Sequence, residues 1–400
     1  MKSLILALAF VTLSCNVFAN RTRSCTKLTA LTQHKRPAYE FSVRLLQRVT
    51  EDTYSHFVYA PLSTWMQLIA LSEGATGTTF REIWNVTQHR RNRCFKKQLG
   101  DIMLNLNRAL RKESKLKSVI AVDHLLAVRR SYIEKVEKLF GIKVLLLNFH
   151  QPSKSALEVN KAIEDGTAGL IDTIVDDDDF KSTVLLLSAA NYFKSEWSSP
   201  FDSAYNKIEP FYSSQGVQIG QVTMMNQKGY FNMLDFPHIG AKVLELPFVK
   251  KGLSMLIFLP RDNTWVGEIF YDLQNTRLTS IFNMYKTEKQ KFVDVSIPKF
   301  KLRAEIDNLP ELIHDMGIKR IFNPQQAEFK GISKYKLYAS LMKQITEIEV
   351  NEGGVAASVE NWVKNDSELF VANKPFAYMI VDRSSEFILY AGTYSVPSVF

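Results

Sequence analysis

Cysteine is scarce in this chain: there are three in 400 residues, Cys15, Cys25 and Cys94. A disulfide-stapled scaffold is thereby excluded, and the fold must rest on an apolar core, for which 46% apolar residues is ample. No apolar run reaches the roughly 20 residues that a membrane-spanning helix needs. Gly-x-Ser-x-Gly, His-Glu-x-x-His and a Gly-rich phosphate loop are all missing, which removes the hydrolases, zinc peptidases and nucleotide enzymes that those motifs mark. The seven histidines (His34, His56, His89, His124, His150, His238 and His314) stand singly, without ligand spacing, and there is no Cys-x-x-Cys. These absences argue against an enzyme, a metal site and a bound cofactor. A triad assembled only in space would leave no such trace.

The N-terminus does carry a signal. Met1 and Lys2 are followed by an apolar stretch from Leu4 to Leu13 and by Val17-Phe18-Ala19, which ends on a small residue. This is the layout of a secretory signal peptide, residues 1–19, cleaved before Asn20. Cleavage removes Cys15 and leaves Cys25 and Cys94, the candidates for one disulfide tying the N-terminal tail to the body in an oxidising compartment. Their joining depends on geometry rather than on spacing.

The formal charge is +9, falling to +8 when Lys2 leaves, and the excess is concentrated. Arg90, Arg91, Arg93, Lys96 and Lys97 lie in one short run, and Arg108, Arg111, Lys112, Lys115 and Lys117 follow. Such runs attract polyanions. Outside the cell a sulfated glycosaminoglycan fits better than nucleic acid, because no base-reading or RNA-stacking motif accompanies the charge. A plain solvated helix face is the competing reading, and the five cations cannot all point one way on a helix.

No linker rich in Pro, Gly or Ser and no repeat divides the chain, so residues 20–400 read as one domain. Phe41, Leu45, Leu46 and Val49 mark the buried stripe of a first helix. Pro61 suits the first turn of a second helix, over Ser63 to Ser72, and Ala156 to Ile163 reads as helical. Strands follow at Val184–Leu187, Leu253–Leu259, Val293–Ile297, Phe376–Val381 and Phe387–Tyr390. Helices early and strands late give an α+β class.

Several segments, in order, resemble the serpin family. They are Phe57-Val58-Tyr59-Ala60-Pro61-Leu62-Ser63 with Gly74-Ala75-Thr76-Gly77; Asn160, Thr167, Gly169 and Ile171; Asn191-Tyr192-Phe193-Lys194-Ser195-Glu196-Trp197; Leu244-Glu245-Leu246-Pro247-Phe248; Ile297-Pro298-Lys299-Phe300; and Ile388-Leu389-Tyr390-Ala391-Gly392. Ala162, Ala189 and Gln344 depart from the family's usual Trp, Asn and His. The resemblance implies a bundle of helices packed on a large central mixed β-sheet, with further β-sheets and an exposed reactive-centre loop at about 352–373. It implies a monomer whose partner is an extracellular serine protease: cleavage of the loop lets it insert into the central sheet. Trp197 and Gln344 would then lie where the sheet opens.

The hinge of that loop matches at Glu352, Gly354, Val355, Ala357 and Val359. Val355, Ala357, Val359 and Val363 alternate as an inserted strand requires. Asn361 does not suit a buried position, where an unpaired amide costs roughly 1–3 kcal/mol. The residue sixteen places beyond the hinge glutamate, where family members are cut, is Glu368, and only Leu369 to Lys374 then precede Pro375. Lys364 is the basic alternative for a trypsin-like cut, and it would shorten the inserted strand by roughly 13 Å. Asn365-Asp366-Ser367 is a glycosylation sequon, as are Asn20-Arg21-Thr22 and Asn85-Val86-Thr87. Two functions stay open: a covalent serine-protease inhibitor, or a non-inhibitory serpin acting as a binding or carrier protein. If the N-terminal reading holds, mature protein begins at Asn20 and loses mass on glycosidase treatment; cytosolic protein retaining Met1 would overturn it.

Overall fold

The computed structural model describes residues 25–54, 56–262, 264–353 and 367–400. The first helix is longer than periodicity indicates, running Lys27–Asp52 through an internal Pro37. Its apolar stripe does include Phe41, Leu45, Leu46 and Val49, all buried. The additional N-terminal turns are mostly polar in sequence, yet they bury Ala30, His34, Ala38 and Tyr39 and are also anchored at their start. Thr26 and Thr29 form a reciprocal capping box, and Cys25 is joined to Cys94 in a disulfide across 69 residues.

The helix Pro61–Ser72 is buried at every position but Ser63, as expected of a helix enclosed on all sides rather than one with a wet face. Helices Gly77–Thr87, Arg93–Ala109 and Arg130–Phe140 follow. The helix Pro152–Thr167 covers the outer face of a sheet, where its Val159 and Ile163 join Ile171, Ile174, Val175 and Phe180 in a second apolar cluster.

That sheet has five strands in the order Phe300–Ile306, Leu341–Val350, Leu185–Lys194, Ser114–Asp123 and Lys143–Leu147. It is mixed. Leu341–Val350 runs antiparallel to its outer neighbour but parallel to Leu185–Lys194. The remaining strands join in a nine-stranded sheet. Its continuity comes from the long strand Gln218–Phe236, which pairs with Lys291–Pro298 through Phe231 and with Ala241–Pro247 from Asn232 onward. Short-range periodicity cannot reveal one strand serving two partners. Phe376–Asp382 and Phe387–Tyr394 form the expected C-terminal hairpin. Among the described residues no helix is long and apolar enough to cross a membrane.

Two of the singly spaced histidines meet in the core. His34 hydrogen-bonds the Ala30 carbonyl at 2.7 Å, and His89 bonds the Thr87 hydroxyl at 2.8 Å. Burial, opposed by the Ala30 bond and aided by Arg90, lowers His34 to about 4. Burial, with Lys96, His34 and Arg91, lowers His89 to about 3. Both are neutral in the fold at pH 7. The unfolded chain, titrating near 6.5, binds more protons as pH falls. Their stabilisation is therefore complete above pH 6.5 and is lost as pH drops through the window down to about 4 and about 3. Denaturant melts should show a loss of about 1–2 kcal/mol per histidine between pH 6.5 and 5, reduced in His89→Asn. Identical losses in wild type and His89→Asn would contradict this origin.

Candidate functional site

The parallel pair Leu185–Lys194 and Leu341–Val350 is the centre of the site, because the segment that leaves the second of these strands is the one the sequence marks as a hinge. Nine register pairs, from Leu341 with Leu186 to Glu349 with Lys194, close the seam between the strands. Backbone pairing is supplemented by side chains that reach across or under it.

At the hinge end, Lys194 donates to Glu349 at 2.7 Å, while Asn351 donates to the same carboxylate at 2.7 Å and Tyr192 at 3.4 Å. Burial pushes the Glu349 carboxyl up, but Lys194, Asn351 and Tyr192 together outweigh it and hold the group below the usual glutamate range. Trp197, buried and stacked on Phe248 with centroids 4.5 Å apart, donates its indole N–H to the Asn351 carbonyl at 2.7 Å. Glu352 accepts from Asn206 at 2.6 Å and faces Lys299 at 3.3 Å. Burial raises its carboxyl, but its own backbone N–H, Asn206 and Lys299 together outweigh burial and leave it below the usual glutamate range. Gly353 has φ +47°, and a Cβ there would lie 3.2 Å from Glu196 Cα and Trp197 N. The left-handed φ favours glycine, and a side chain would also crowd the neighbouring backbone. A cleft of about 840 Å³ opens at this end, between Glu113, Lys194, Glu196, Lys299, Asn351 and Gly353.

Midway along the seam lies a buried polar group. Ser63, the one position of its helix that is not buried, donates to Asn191 Oδ1 at 2.7 Å. Asn191 in turn reaches Thr346, its register partner on the neighbouring strand, at 3.4 Å. The Gln344 amide, oriented so that both ends are satisfied, accepts from Ala60 N at 3.1 Å and donates to Ala60 O at 3.2 Å. Gln67 donates to the Ser188 carbonyl at 2.7 Å. Gln344 opposite Ala189 therefore bonds the chain just before the helix Pro61–Ser72, while Asn191, two residues on, makes the cross-seam contact. Of the residues marked in sequence, Trp197, Gln344 and Glu352 line one seam. Lys194, Glu349, Asn351, Ser63, Asn191 and Thr346 complete it and were not singled out for this role. The alternation of the strand, with odd-numbered charged residues Lys343, Glu347 and Glu349 on one face, was the available signal.

Glu368 is placed differently from expectation. It opens a strand, Glu368–Val371, paired in parallel with Lys291–Pro298, Glu368 against Val293 and Leu369 against Asp294. Lys291 lies 3.3 Å from its carboxylate, and Phe370, two residues on, is fully buried. A protease must bind both flanks of its scissile bond in extended form, and the flank after Glu368 is already paired. The flank that follows the candidate position Glu368 is thus in extended, paired form. Gly354, Val355, Ala357, Val359, Lys364 and Asn365, with Asn20 and residues 1–19, lie outside the described residues.

The basic run is also redistributed. Only Arg93, Lys96 and Lys97 belong to the helix Arg93–Ala109. Lys96 is bound to the buried carboxylate of Glu73 at 2.6 Å, which Lys135 shares at 3.5 Å, and Lys97 pairs with Asp101 at 3.2 Å. Arg91 lies over the Phe80 ring at 4.8 Å, and Arg90 donates to Gln33. Asn85 is exposed on the helix Gly77–Thr87, though Thr87 is buried and bonded to Ile83 O at 2.7 Å. Among the described residues, no three His, Cys, Asp or Glu side chains converge as a metal site would require.

A helix-covered mixed sheet, with a clasped parallel seam and a hinge at its end, defines an α+β protein of the serine-protease-inhibitor class. The family model Serpin (serine protease inhibitor) matches residues 37–397, and the chain belongs to that family. Human Serpin B9 is 26% identical over 373 residues, covering 89% of this chain and 97% of that protein. Serine protease inhibitor 2 of Anopheles gambiae is 25% identical over 380 residues, covering 90% and 91%. The crystal structure of native protease nexin-1 with heparin superposes with a TM-score of 0.81 at 23% identity, covering 92% of this chain and all of that one. The fold is the serpin fold, and protease inhibition is the general activity of the family.

Proposed function

We propose that this chain is a secreted inhibitor of extracellular serine proteases, acting by cleavage of its loop and insertion of the cut segment into the five-stranded sheet. The direct parallel pairing of Leu341–Val350 with Leu185–Lys194 carries the reading. Parallel ladders are somewhat less stable per residue than antiparallel ones. A segment turning back at the hinge would enter antiparallel to both strands, replacing one parallel ladder by two antiparallel ones. The glutamate and glycine at the hinge, held by Lys299, Asn206 and the Trp197 region, set the loop's root at the mouth of that seam.

With Glu368 fixed in a strand, Lys364 becomes the preferred cleavage position, and the target protease is trypsin-like. The same observation also favours a second reading, in which the chain is a non-inhibitory binding or carrier serpin, because only fourteen residues separate Gly353 from Glu368. Incubation with trypsin discriminates them. Inhibition predicts a complex that survives boiling in detergent. It also predicts that protein nicked at Lys364 melts tens of degrees higher, since about 1 kcal/mol already moves a large domain by roughly 2–4 °C. Cleavage without a complex and without a higher melt would leave the carrier reading.

A sulfated polysaccharide is the proposed accessory ligand, supported by the basic run and by the heparin named with protease nexin-1. Because Lys96 and Lys97 already face carboxylates, Arg90, Arg91 and Arg93 are assigned most of the contact, of modest and salt-sensitive strength. Their joint replacement by Ala should advance elution from heparin to lower salt. Unchanged elution would remove this ligand site.

A further inference from the structure

The seam is clasped at its hinge end and at its middle, and the structure shows a third contact at the opposite end. Lys343 places its ammonium 2.9 Å from both carboxylate oxygens of Asp179. The two side chains retain only 13% and 12% exposure, so the pair is largely withdrawn from water, unlike most ion pairs of this molecule. Lys343 belongs to the strand Leu341–Val350, opposite Ser188. Asp179 lies in the 3-10 turn Asp178–Phe180, on the segment that leads from the helix Pro152–Thr167 into the strand Leu185–Lys194. The two partners thus belong to opposite sides of the seam.

Asp179 is itself held firmly. Its carboxylate accepts from Asp176 N at 3.0 Å, Asp176 accepts from Asp178 N and Asp179 N, and Ser153 donates to Asp177. Phe180, next in sequence, is buried against Phe149. Close by, Ser340 receives Val184 N at 2.7 Å and Leu185 N at 3.2 Å, closing the same end. Admitting a strand moves Leu341–Val350 and Leu185–Lys194 apart by one strand spacing, about 4.8 Å. A contact of 2.9 Å cannot survive that separation unless the anchored turn leaves its own strand. Breaking it would strand two charges in a partly dry site, which is costly.

We propose that Lys343 and Asp179 form a clasp across the far end of the seam and set the rate at which the sheet admits an added strand. Its functional meaning rests on the insertion reading above; its geometry does not. These are positioning residues: they touch neither protease nor scissile bond.

The probe is a synthetic peptide with the sequence of residues 354–364, offered to intact protein, with uptake followed as a rise in melting temperature. Lys343→Met and Asp179→Asn should each take up the peptide roughly tenfold faster than wild type. The double variant should be no faster than either single one, because a single pair is being removed. Lys181→Met, which breaks only the exposed Lys181–Asp178 pair, should behave as wild type. Uptake at the wild-type rate in both single variants overturns the proposal. If no protein takes up the peptide, the insertion reading is what fails. The clasp is then judged by amide hydrogen exchange, which should be roughly tenfold faster across Leu341–Ile345 in Lys343→Met, and unchanged exchange there overturns it.

Discussion

The hinge anchors and the buried polar groups described above are arranged around two neighbouring strands that run in the same direction. A parallel pair in the middle of a sheet needs cover on both faces, and here the two covers differ. Beneath it lies the helix Pro61–Ser72, surrounded by core; above it lies the helix Pro152–Thr167 with its return segment. Had the seam only to stay shut, interlocking apolar side chains would serve best. Instead Gln67, Ser188, Asn191, Gln344 and Thr346 are all fully or nearly fully buried along it. A buried hydrogen bond contributes only about 1 kcal/mol net, yet leaving it unmade costs more. Such a group therefore fixes one arrangement while remaining able to exchange partners for another backbone, which an apolar zip would not.

The charges at the hinge follow the same logic. Glu349 and Glu352 are each half-withdrawn from water and each held by a lysine and an amide. They lie on either side of Asn351, whose carbonyl is taken by the Trp197 indole. Three consecutive anchors thus fix the direction in which the chain leaves the sheet, and Gly353 supplies the turn that follows. The lysine partners of Glu349 and Glu352 stay partly exposed, which limits what the pairs add to overall stability. Their effect here is positional.

Legibility in the sequence divides along physical lines. The helix stripe Phe41–Val49, the proline-initiated helix and the C-terminal hairpin could be read because burial imposes local periods of 3.6 and 2. The turns before Phe41 continue the stripe through Ala30, His34 and Ala38, but two small residues and a histidine give it little hydropathy contrast, and a capping box and the Cys25–Cys94 bond anchor its start. The basic run was visible as composition, but the carboxylate that takes Lys96, Glu73, is distant in sequence and lies at the end of another helix. Trp197, Gln344 and Glu352 were reached only through resemblance. Asn191, Thr346 and Lys343 acquire their roles from the register between two strands more than 150 residues apart, and no local pattern encodes a register.

The strand that begins at Glu368 also supplies a restraint. The segment that follows Gly353 rejoins the described structure at its paired edge, where four register pairs from Glu368 to Val371 hold it to the strand Lys291–Pro298. Phe370 is buried there, and Ala372 N donates to the Ser296 carbonyl at 2.9 Å. An uncut segment is therefore tied at both ends, by the clasped hinge and by this edge strand. Entry into the seam from the hinge side would draw on chain that the edge strand does not release without losing its ladder and the burial of Phe370. On the same reading, cutting between the two ties would remove the second restraint and leave the first as a pivot. On the proposed insertion reading, parallel pairing would let the seam accept a strand, and the clasps with the edge strand would oppose that acceptance while the chain is whole.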